Sequence, residues 1–173
     1  GHIVFGSEMR RQTQERKALT IDLAHAMMRD ELELYYQPIV YSETGMVEGL
    51  EALIRWNHPQ RGLLYPGEFL PLAEEEGLMA EIGTWALERA CHQAAALPGH
   101  IQVSVNISAD QFRSPKIVDT VRDALARSGL PAKRLALEIT ETVILSSETL
   151  AARVIGRLSD MGVAIALDDF GTA

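Results

Sequence analysis

The sequence predicts an α/β fold built on a parallel sheet. Short apolar segments typical of strands alternate with segments of helical periodicity along most of the 173 residues. The last apolar segment, 163–167, is a continuous run, as expected of a strand buried on both faces of a parallel sheet. Hydrophobic residues make up 47% of the chain, which is enough for a globular domain with a core.

The N-terminal residues are predicted to lie outside this alternating pattern. Residues 1–6 are interpreted as the end of a preceding domain, since a lone strand-like piece does not fold by itself. Residues 7–29 are predicted to form one helix with Ser7 as a partial N-cap. One face of this helix is apolar and carries Leu19, Leu23, Ala26 and Met27. The helix is either a linker between two domains or the first helix of the domain proper.

A β-hairpin is predicted to open the domain. Residues 33–41 and 46–56 are rich in β-branched and aromatic residues, and a turn at 42–45 separates them. Pro38 cannot donate a ladder hydrogen bond, so the first strand is expected at an edge.

Helices and strands then alternate. Gly77 separates the first two helices, while Pro115 and Gly129 mark the first turn and the end of the third. The predicted helices are 66–77, 79–97, 114–128 and 147–161, and the predicted strands are 101–106, 134–139 and 163–167.

Composition narrows the function classes. A formal net charge of -8 argues against binding to a DNA or RNA polymer, which needs a basic face. It still permits a small phosphorylated ligand where bound cations reverse the local field.

Cys91 is the single cysteine, so no internal disulfide forms and a reducing, cytoplasmic location is expected. Cys91 itself is interpreted as a small buried hydrophobe. No apolar run approaches the ~18 residues of a membrane span, although an upstream anchor stays possible.

Oxygen-bearing side chains lie in or directly after the predicted strands. They are Glu51, Asn106, Glu138, Asp168 and Asp169. The steps from 106 to 138 and from 138 to 168 are 32 and 30 residues, close to one strand–helix–strand unit of roughly 30 residues. Such a pitch brings the side chains to one rim of a parallel sheet. Without histidine or thiolate, the set suits Mg²⁺, Mn²⁺ or Ca²⁺ better than zinc.

Each of these residues also has a structural alternative. Glu51 could be the outward residue of an alternating strand, and Asn106 could cap the turn at 107–109. Glu138 could end a strand in a salt bridge, and one of the two aspartates could cap a helix. Arg55 could clamp a phosphate or form a surface salt bridge.

Six motifs in order resemble the EAL family of bacterial cyclic di-GMP phosphodiesterases. They are Tyr36-Gln37-Pro38-Ile39, Glu51-Ala52-Leu53-Ile54-Arg55-Trp56, Pro66-Gly67-Glu68-Phe69-Leu70-Pro71-Leu72-Ala73-Glu74, Val105-Asn106-Ile107-Ser108, Leu137-Glu138-Ile139-Thr140-Glu141 and Asp168-Asp169-Phe170-Gly171-Thr172. The resemblance runs from about residue 31 to 173. Residues 1–6 and the helix at 7–30 resemble the tail of a GGDEF domain that leads into an EAL domain.

The resemblance implies a fold, a reaction and roles for residues. The fold is a modified (β/α)8 TIM-like barrel with an antiparallel first strand, and the reaction is hydrolysis of cyclic di-GMP to linear pGpG with two Mg²⁺ or Mn²⁺ ions. Metal ligands are Glu51, Asn106, Glu138 and Asp168, with Asp169 on the second ion; Glu51, Asp168 and Asp169 are thereby catalytic. Substrate contacts are Gln37, Leu53 and Arg55, and Glu141 steadies a later active-site loop.

The resemblance also implies partners and an incomplete domain. A homodimer through the EAL domain and upstream GGDEF or sensor domains are expected. A complete barrel takes ~250 residues, so 31–173 would supply roughly five of its eight units. The family's later lysine, carboxylates and glutamine are not among these residues, so 1–173 alone is expected to be inactive. A cyclic di-GMP receptor without turnover, signalling through the helix, is the main alternative, and a structural fragment is the third.

Overall fold

The computed structural model describes residues 2–40, 42–43, 45–146 and 148–168, with the backbone alone at 2–8, 142, 146, 148 and 168. Its α-helices are α1 (His2–Ala26), α2 (Pro66–Glu75), α3 (Met79–Ala95), α4 (Ala109–Arg113), α5 (Ile117–Ser128), α6 (Glu141–Ser146) and α7 (Glu148–Asp160). Its strands are β1 (Leu32–Val40), β2 (Val47–His58), β3 (Gly62–Leu64), β4 (Gln102–Asn106), β5 (Leu135–Thr140) and β6 (Ala164–Asp168), and a 3₁₀ turn at Ala132–Arg134 precedes β5.

The chain divides into two compact units. The first contains residues up to Glu33 together with Ile54–Leu78, and the second contains Leu34–Leu53 together with the residues from Met79 onward. Strand β2 therefore contributes its last residues to the first unit and its earlier residues to the second.

The first unit has its own apolar core, in which α1 packs on α2. Leu19, Leu23 and Ala26 are buried, which confirms the predicted apolar face of α1. Trp56 is fully buried and meets Phe69 edge-on, with ring centroids 5.6 Å apart. Such aromatic contacts anchor small cores efficiently because each ring buries a large apolar area.

Helix α1 begins earlier than predicted. We expected residues 1–6 to be strand-like and the helix to start after Ser7, but the described backbone is helical from His2. The expectation was wrong because the β-branched residues near the chain start lower helix propensity only slightly, while each residue added to an existing helix gains a hydrogen bond. Where a preceding domain ends stays a prediction.

In the second unit the strands lie in the order β1–β2–β4–β5–β6. The pairs β2–β4, β4–β5 and β5–β6 are parallel. β1 and β2 are neighbours joined by only the residues between Val40 and Val47, so they are antiparallel, because a parallel pair needs a crossover of a dozen or more residues. β1 ends the described sheet, which confirms the edge position expected from Pro38.

Helices cover one face of this sheet. Val103 and Val105 of β4 and Leu135, Leu137 and Ile139 of β5 are buried in the main core. The same core takes side chains from α3, α5 and α7, including Cys91, whose predicted burial is confirmed. Since side chains alternate along a strand, the residues between these core positions lie on the opposite face.

Several short elements were not predicted. The helices at 66–77 and 79–97 are confirmed as α2 and α3, but the helix expected at 114–128 starts at Ile117, after Pro115. The structure adds β3, α4 and α6, which have three, five and six residues. Segments this short carry too few residues for a periodic signal. Gly129 ends α5 with φ 70°, the left-handed conformation expected of a helix-terminating glycine.

Candidate functional site

The parallel register brings the predicted ligand positions of the second unit close together on neighbouring strands. Asn106 pairs with Glu138 across β4 and β5, and Glu51 pairs with Ser104 across β2 and β4. These residues alternate with the core positions and therefore lie on the sheet face opposite the helices. The backbone of Asp168 pairs with Thr140, two residues beyond Glu138. The register thus brings these positions close together on one sheet face. Asn106 is the last residue of β4, whereas Glu51 lies within β2 and Glu138 within β5.

A side-chain hydrogen bond joins two of these residues. Asn106 Nδ2 donates to Glu51 Oε1 at 3.0 Å. Glu51 is half-buried and Asn106 is exposed. A carboxylate only accepts hydrogen bonds, so the amide nitrogen of Asn106 faces Glu51 and its carbonyl oxygen Oδ1 is turned away. The Asn106 amide oxygen therefore takes no part in the hydrogen bond to Glu51.

The alternative role of Asn106 as a turn cap falls to another residue. The Ser108 hydroxyl accepts a hydrogen bond from the Gln111 backbone N–H at 3.3 Å and caps α4. Gln111 Oε1 accepts in return from the Ser108 backbone N–H at 3.2 Å. This reciprocal capping box satisfies the helix start.

Two of the three expected substrate contacts lie in the second unit. Ile39 of β1 lies against Gly49 of the neighbouring strand β2, and Gln37 precedes Ile39 by two residues on the same face of β1. Gln37 is exposed, and Leu53 is half-buried two residues after Glu51 on the same face.

The third expected substrate contact, Arg55, belongs to the first unit. Its Nη1 donates to the Ile54 carbonyl oxygen at 2.8 Å, and its Cζ lies 4.8 Å from the centroid of the Tyr65 ring. Sequence reasoning missed Tyr65. The signal available was an aromatic residue directly before Pro66 at the start of a helix.

The other predicted residues are placed only in part. Glu141 is the first residue of α6, directly after β5, and its side chain is exposed. Asp169 lies outside the described residues, as does the side chain of Asp168. The roles assigned to all of these residues stay predictions.

The donor set fits a hard divalent cation. Glu51, Asn106 and Glu138 offer carboxylate and amide oxygens on adjacent strands, without histidine or thiolate. Among the described side chains, no three histidine, cysteine, aspartate or glutamate residues form a metal-binding cluster. Of the carboxylates expected to bind metal, only Glu51 and Glu138 have side chains among the described residues.

Two ionisable side chains near the core are kept in their neutral forms. Burial raises the pKa of Cys91 to about 12, with the Glu88 charge adding to the effect. Burial also raises the pKa of Tyr36 to about 12, against a smaller opposing effect of Arg89. The Tyr36 hydroxyl donates to Gln93 Oε1 at 2.5 Å. Because a thiolate is the reactive form, these values argue against Cys91 as a nucleophile.

The sequence profile of the EAL domain matches residues 21–173. The chain belongs to the EAL domain family. The bifunctional diguanylate cyclase/cyclic di-GMP phosphodiesterase MucR of Pseudomonas aeruginosa is 44% identical over 176 residues, a match that covers 99% of this chain and 26% of MucR. The chain thus spans about a quarter of the length of this relative. This EAL domain is homologous to a cyclic di-GMP phosphodiesterase.

Solved structures confirm the predicted fold class. The PaMucR phosphodiesterase in complex with c-di-GMP superposes with a TM-score of 0.87 at 44% identity, over 90% of this chain and 65% of that one. The EAL enzyme Bd1971, in its cAMP- and cyclic-di-GMP-bound form, gives a TM-score of 0.85 at 28% identity over 99% of this chain and 50% of that one. The described residues form the N-terminal part of the family's modified barrel, preceded by α1. None of the helices within them is both long and apolar enough to cross a membrane.

Proposed function

We propose that the protein containing this chain is a metal-dependent phosphodiesterase that hydrolyses cyclic di-GMP to linear pGpG. The observation that carries the proposal is the Asn106–Glu51 contact of 3.0 Å between neighbouring strands, with Glu138 in register with Asn106. In a member of the EAL family that is 44% identical to a named phosphodiesterase, this arrangement favours the same reaction.

Metal ions would be held by the oxygens of Glu51, Asn106, Glu138 and Asp168, with Asp169 on a second ion. The described members of this set have the oxygen chemistry that Mg²⁺ and Mn²⁺ require. When bound, two such ions lower the pKa of a water molecule and offset the charge of an in-line displacement at phosphorus. Glu51, Asp168 and Asp169 are catalytic in this proposal because they hold the ions at the reacting phosphate.

The chain's other proposed role is to bind and orient the dinucleotide. Gln37 of β1 and Leu53, on the same strand face as Glu51, contact the substrate, while the planar fork of Arg55 suits a phosphate. Glu141 steadies a neighbouring active-site loop. In the reaction the water oxygen bonds to phosphorus, one P–O3′ bond breaks, and the 3′ oxygen takes a proton. The second phosphodiester stays intact, which gives pGpG.

The wider context is part of the proposal. Residues 1–6 are the tail of an upstream GGDEF-like domain, 7–30 form a linker that contains most of α1, and 31–173 belong to the EAL domain. MucR, named as a bifunctional cyclase and phosphodiesterase, supports this arrangement. The protein forms a homodimer through the EAL domain and acts in the cytoplasm.

The test is turnover by the full-length protein. Purified protein is incubated with cyclic di-GMP and Mg²⁺ or Mn²⁺, and pGpG is followed by chromatography with and without EDTA. We expect pGpG only when the metal is available. Tight binding of cyclic di-GMP without any product would instead indicate a receptor, and absence of both binding and turnover would contradict the assignment altogether.

A further inference from the structure

An aromatic side chain of the first unit lies against one of the proposed substrate contacts. The Arg55 guanidinium carbon is 4.8 Å from the centroid of the Tyr65 ring, within the range of a cation–π contact. Arg55 Nη1 also donates to the Ile54 carbonyl oxygen at 2.8 Å. The guanidinium is therefore restrained by a ring face and by a backbone oxygen.

The Tyr65 backbone is itself restrained. Tyr65 lies between β3 and α2, in extended conformation with φ −92° and ψ 159°, and it is the N-cap residue of α2. Its backbone N–H donates to Glu68 Oε2 at 2.7 Å, and Pro66 follows at the first helical position. These contacts fix the direction in which the Tyr65 side chain leaves the main chain.

Neither helix capping nor core packing accounts for a tyrosine here. N-cap positions favour serine, threonine, aspartate and asparagine, because a short side-chain oxygen accepts from the first helical N–H groups. The Tyr65 side chain makes no such bond. Its side chain is 53% exposed, so it contributes little to the core. The contact with Arg55 does account for an aromatic ring at this position.

We propose that Tyr65 is a positioning residue that holds the Arg55 guanidinium ready for a phosphate of cyclic di-GMP. The inference rests on the proposed function. The ring attracts the cation through its negative face. The contacts with the ring face and with the Ile54 carbonyl oxygen restrain the guanidinium, whose planar fork of N–H donors matches a phosphate. A side chain ordered before binding loses less conformational entropy when the substrate arrives.

The decisive variant is Tyr65→Ser in the full-length protein, because serine removes the ring and also supplies a preferred N-cap. Thermal stability should be retained or increased. KM for cyclic di-GMP should rise about 2- to 5-fold, the range that corresponds to an exposed cation–π contact, with kcat close to that of the parent. Tyr65→Phe keeps the ring face and should restore the parent KM.

A double-mutant cycle with Arg55→Ala tests whether Tyr65 acts through Arg55. Arg55→Ala should raise KM, and adding Tyr65→Ser to it should have no further effect. Equal effects of Tyr65→Ser in both backgrounds, or an unchanged KM in Tyr65→Ser itself, would overturn the inference. An unchanged KM in Arg55→Ala would also overturn it.

The failure of the inference differs from the failure of the proposed function. If the parent protein neither binds nor hydrolyses cyclic di-GMP, the proposed function is wrong and the inference is wrong with it. If the parent is active and Arg55→Ala weakens it while Tyr65→Ser does not, the inference alone is wrong.

Discussion

Asn106 Nδ2 and Glu51 Oε1 are 3.0 Å apart, and this hydrogen bond joins the last residue of β4 to the first half of β2. The pairing fixes the amide orientation, since the carboxylate accepts only from the nitrogen. Asn106 thus donates one hydrogen bond to the Glu51 carboxylate, while its own oxygen points away from Glu51. Replacing the Asn106 amide by a carboxylate should remove the donor and add a negative charge.

Asn106→Asp should make the protein's stability depend more strongly on Mg²⁺. Two carboxylates would face each other where a donor and an acceptor now pair, at a cost of about 1 kcal/mol in a water-like dielectric. That corresponds to a fall in Tm of about 2–4 °C for a domain of this size. A bound cation would screen the repulsion, so added Mg²⁺ should raise the variant's Tm more than the parent's. The measurement is thermal denaturation with and without Mg²⁺.

Asn57→Asp provides the matched control for that experiment. Asn57 Nδ2 also donates to a glutamate, Glu33, and neither residue belongs to the proposed set of metal ligands. The Asn57→Asp variant should show a similar fall in Tm, but added Mg²⁺ should raise its Tm no more than it raises the parent's. Equal Mg²⁺ effects on the two variants would contradict a cation site at Asn106.

Glu51→Gln and Asp168→Asn should each lower kcat/KM for cyclic di-GMP by at least about 100-fold, because each removes a charged oxygen ligand that no neighbour replaces. Glu51→Gln keeps an oxygen that accepts from Asn106, so the fold should be intact. Glu48→Gln is the control, since Glu48 is an exposed residue of the same strand outside the proposed ligand set. Near-parent turnover by either ligand variant in saturating Mg²⁺ would refute its role.

The placement of the candidate ligands could be predicted because it depends on simple repeats. Asn106 and Glu138 follow strands one strand–helix–strand unit apart, and parallel strands present their carboxyl ends at one edge. Their register is fixed by alternation, since a shift of one residue would turn the ligand positions into the core. The sequence alone could not choose between Asn106 as a ligand and as a cap. Ser108, two residues later, is the observed cap of α4, and the ligand role of Asn106 stays a prediction.

The short elements and long-range contacts could not be predicted. Helix α4 has five residues, and its buried Gln111 packs close to Gly83 of α3. Such a helix exists because of tertiary packing and a capping box rather than its own propensity. Arg134 gave no sequence signal either, because its partners lie more than 30 residues earlier in the chain.

Arg134→Met should lower the free energy of unfolding by about 3 kcal/mol. The side chain is buried, and its guanidinium donates to the carbonyl oxygens of Ile101 and Ala94, each at 2.9 Å, and of Pro98 at 3.0 Å. Methionine keeps the volume but removes all three bonds. The Ala94 and Pro98 oxygens keep the backbone N–H groups of Leu97 and Ile101 as donors, whereas the Ile101 oxygen loses the Arg134 Nε donor. Chemical denaturation measures the loss.

Arg127→Met is the matched control for Arg134. Its ion pair with Glu88 spans 2.9 Å, but the Arg127 side chain is 71% exposed. Its loss should cost less than about 1 kcal/mol, as for other solvent-exposed pairs. Similar losses in the two variants would show that the backbone contacts of Arg134 contribute little.

Cys91 should make the protein less stable as the pH rises above 9. Burial raises the pKa of Cys91 from its ordinary 9.0 to about 12, so the thiol stays protonated in the fold while the unfolded chain ionises. The contribution of the buried thiol to the free energy of unfolding is complete below pH 9 and is lost as the pH rises towards 12. Cys91→Ala should therefore show a smaller fall in the free energy of unfolding between pH 8 and about 10.5. Parallel pH profiles for the two proteins would contradict this.

Two helical glycines should respond to alanine with opposite signs. Alanine favours a helix interior over glycine by roughly 0.5–1 kcal/mol. At Gly156, an exposed residue of α7, an added Cβ meets nothing within 4 Å, so Gly156→Ala should raise the free energy of unfolding by about that amount.

At Gly83, buried in α3, the added Cβ collides with the end of the Gln111 side chain, which hydrogen bonds to Ser108 hold in place. Gly83→Ala must either break those bonds or move α3, and we expect a loss of about 1–3 kcal/mol, as in other overpacked interiors. Urea denaturation of both variants beside the parent measures the two changes. A stabilised Gly83→Ala would show that Gln111 moves aside freely and that α4 does not depend on its present position.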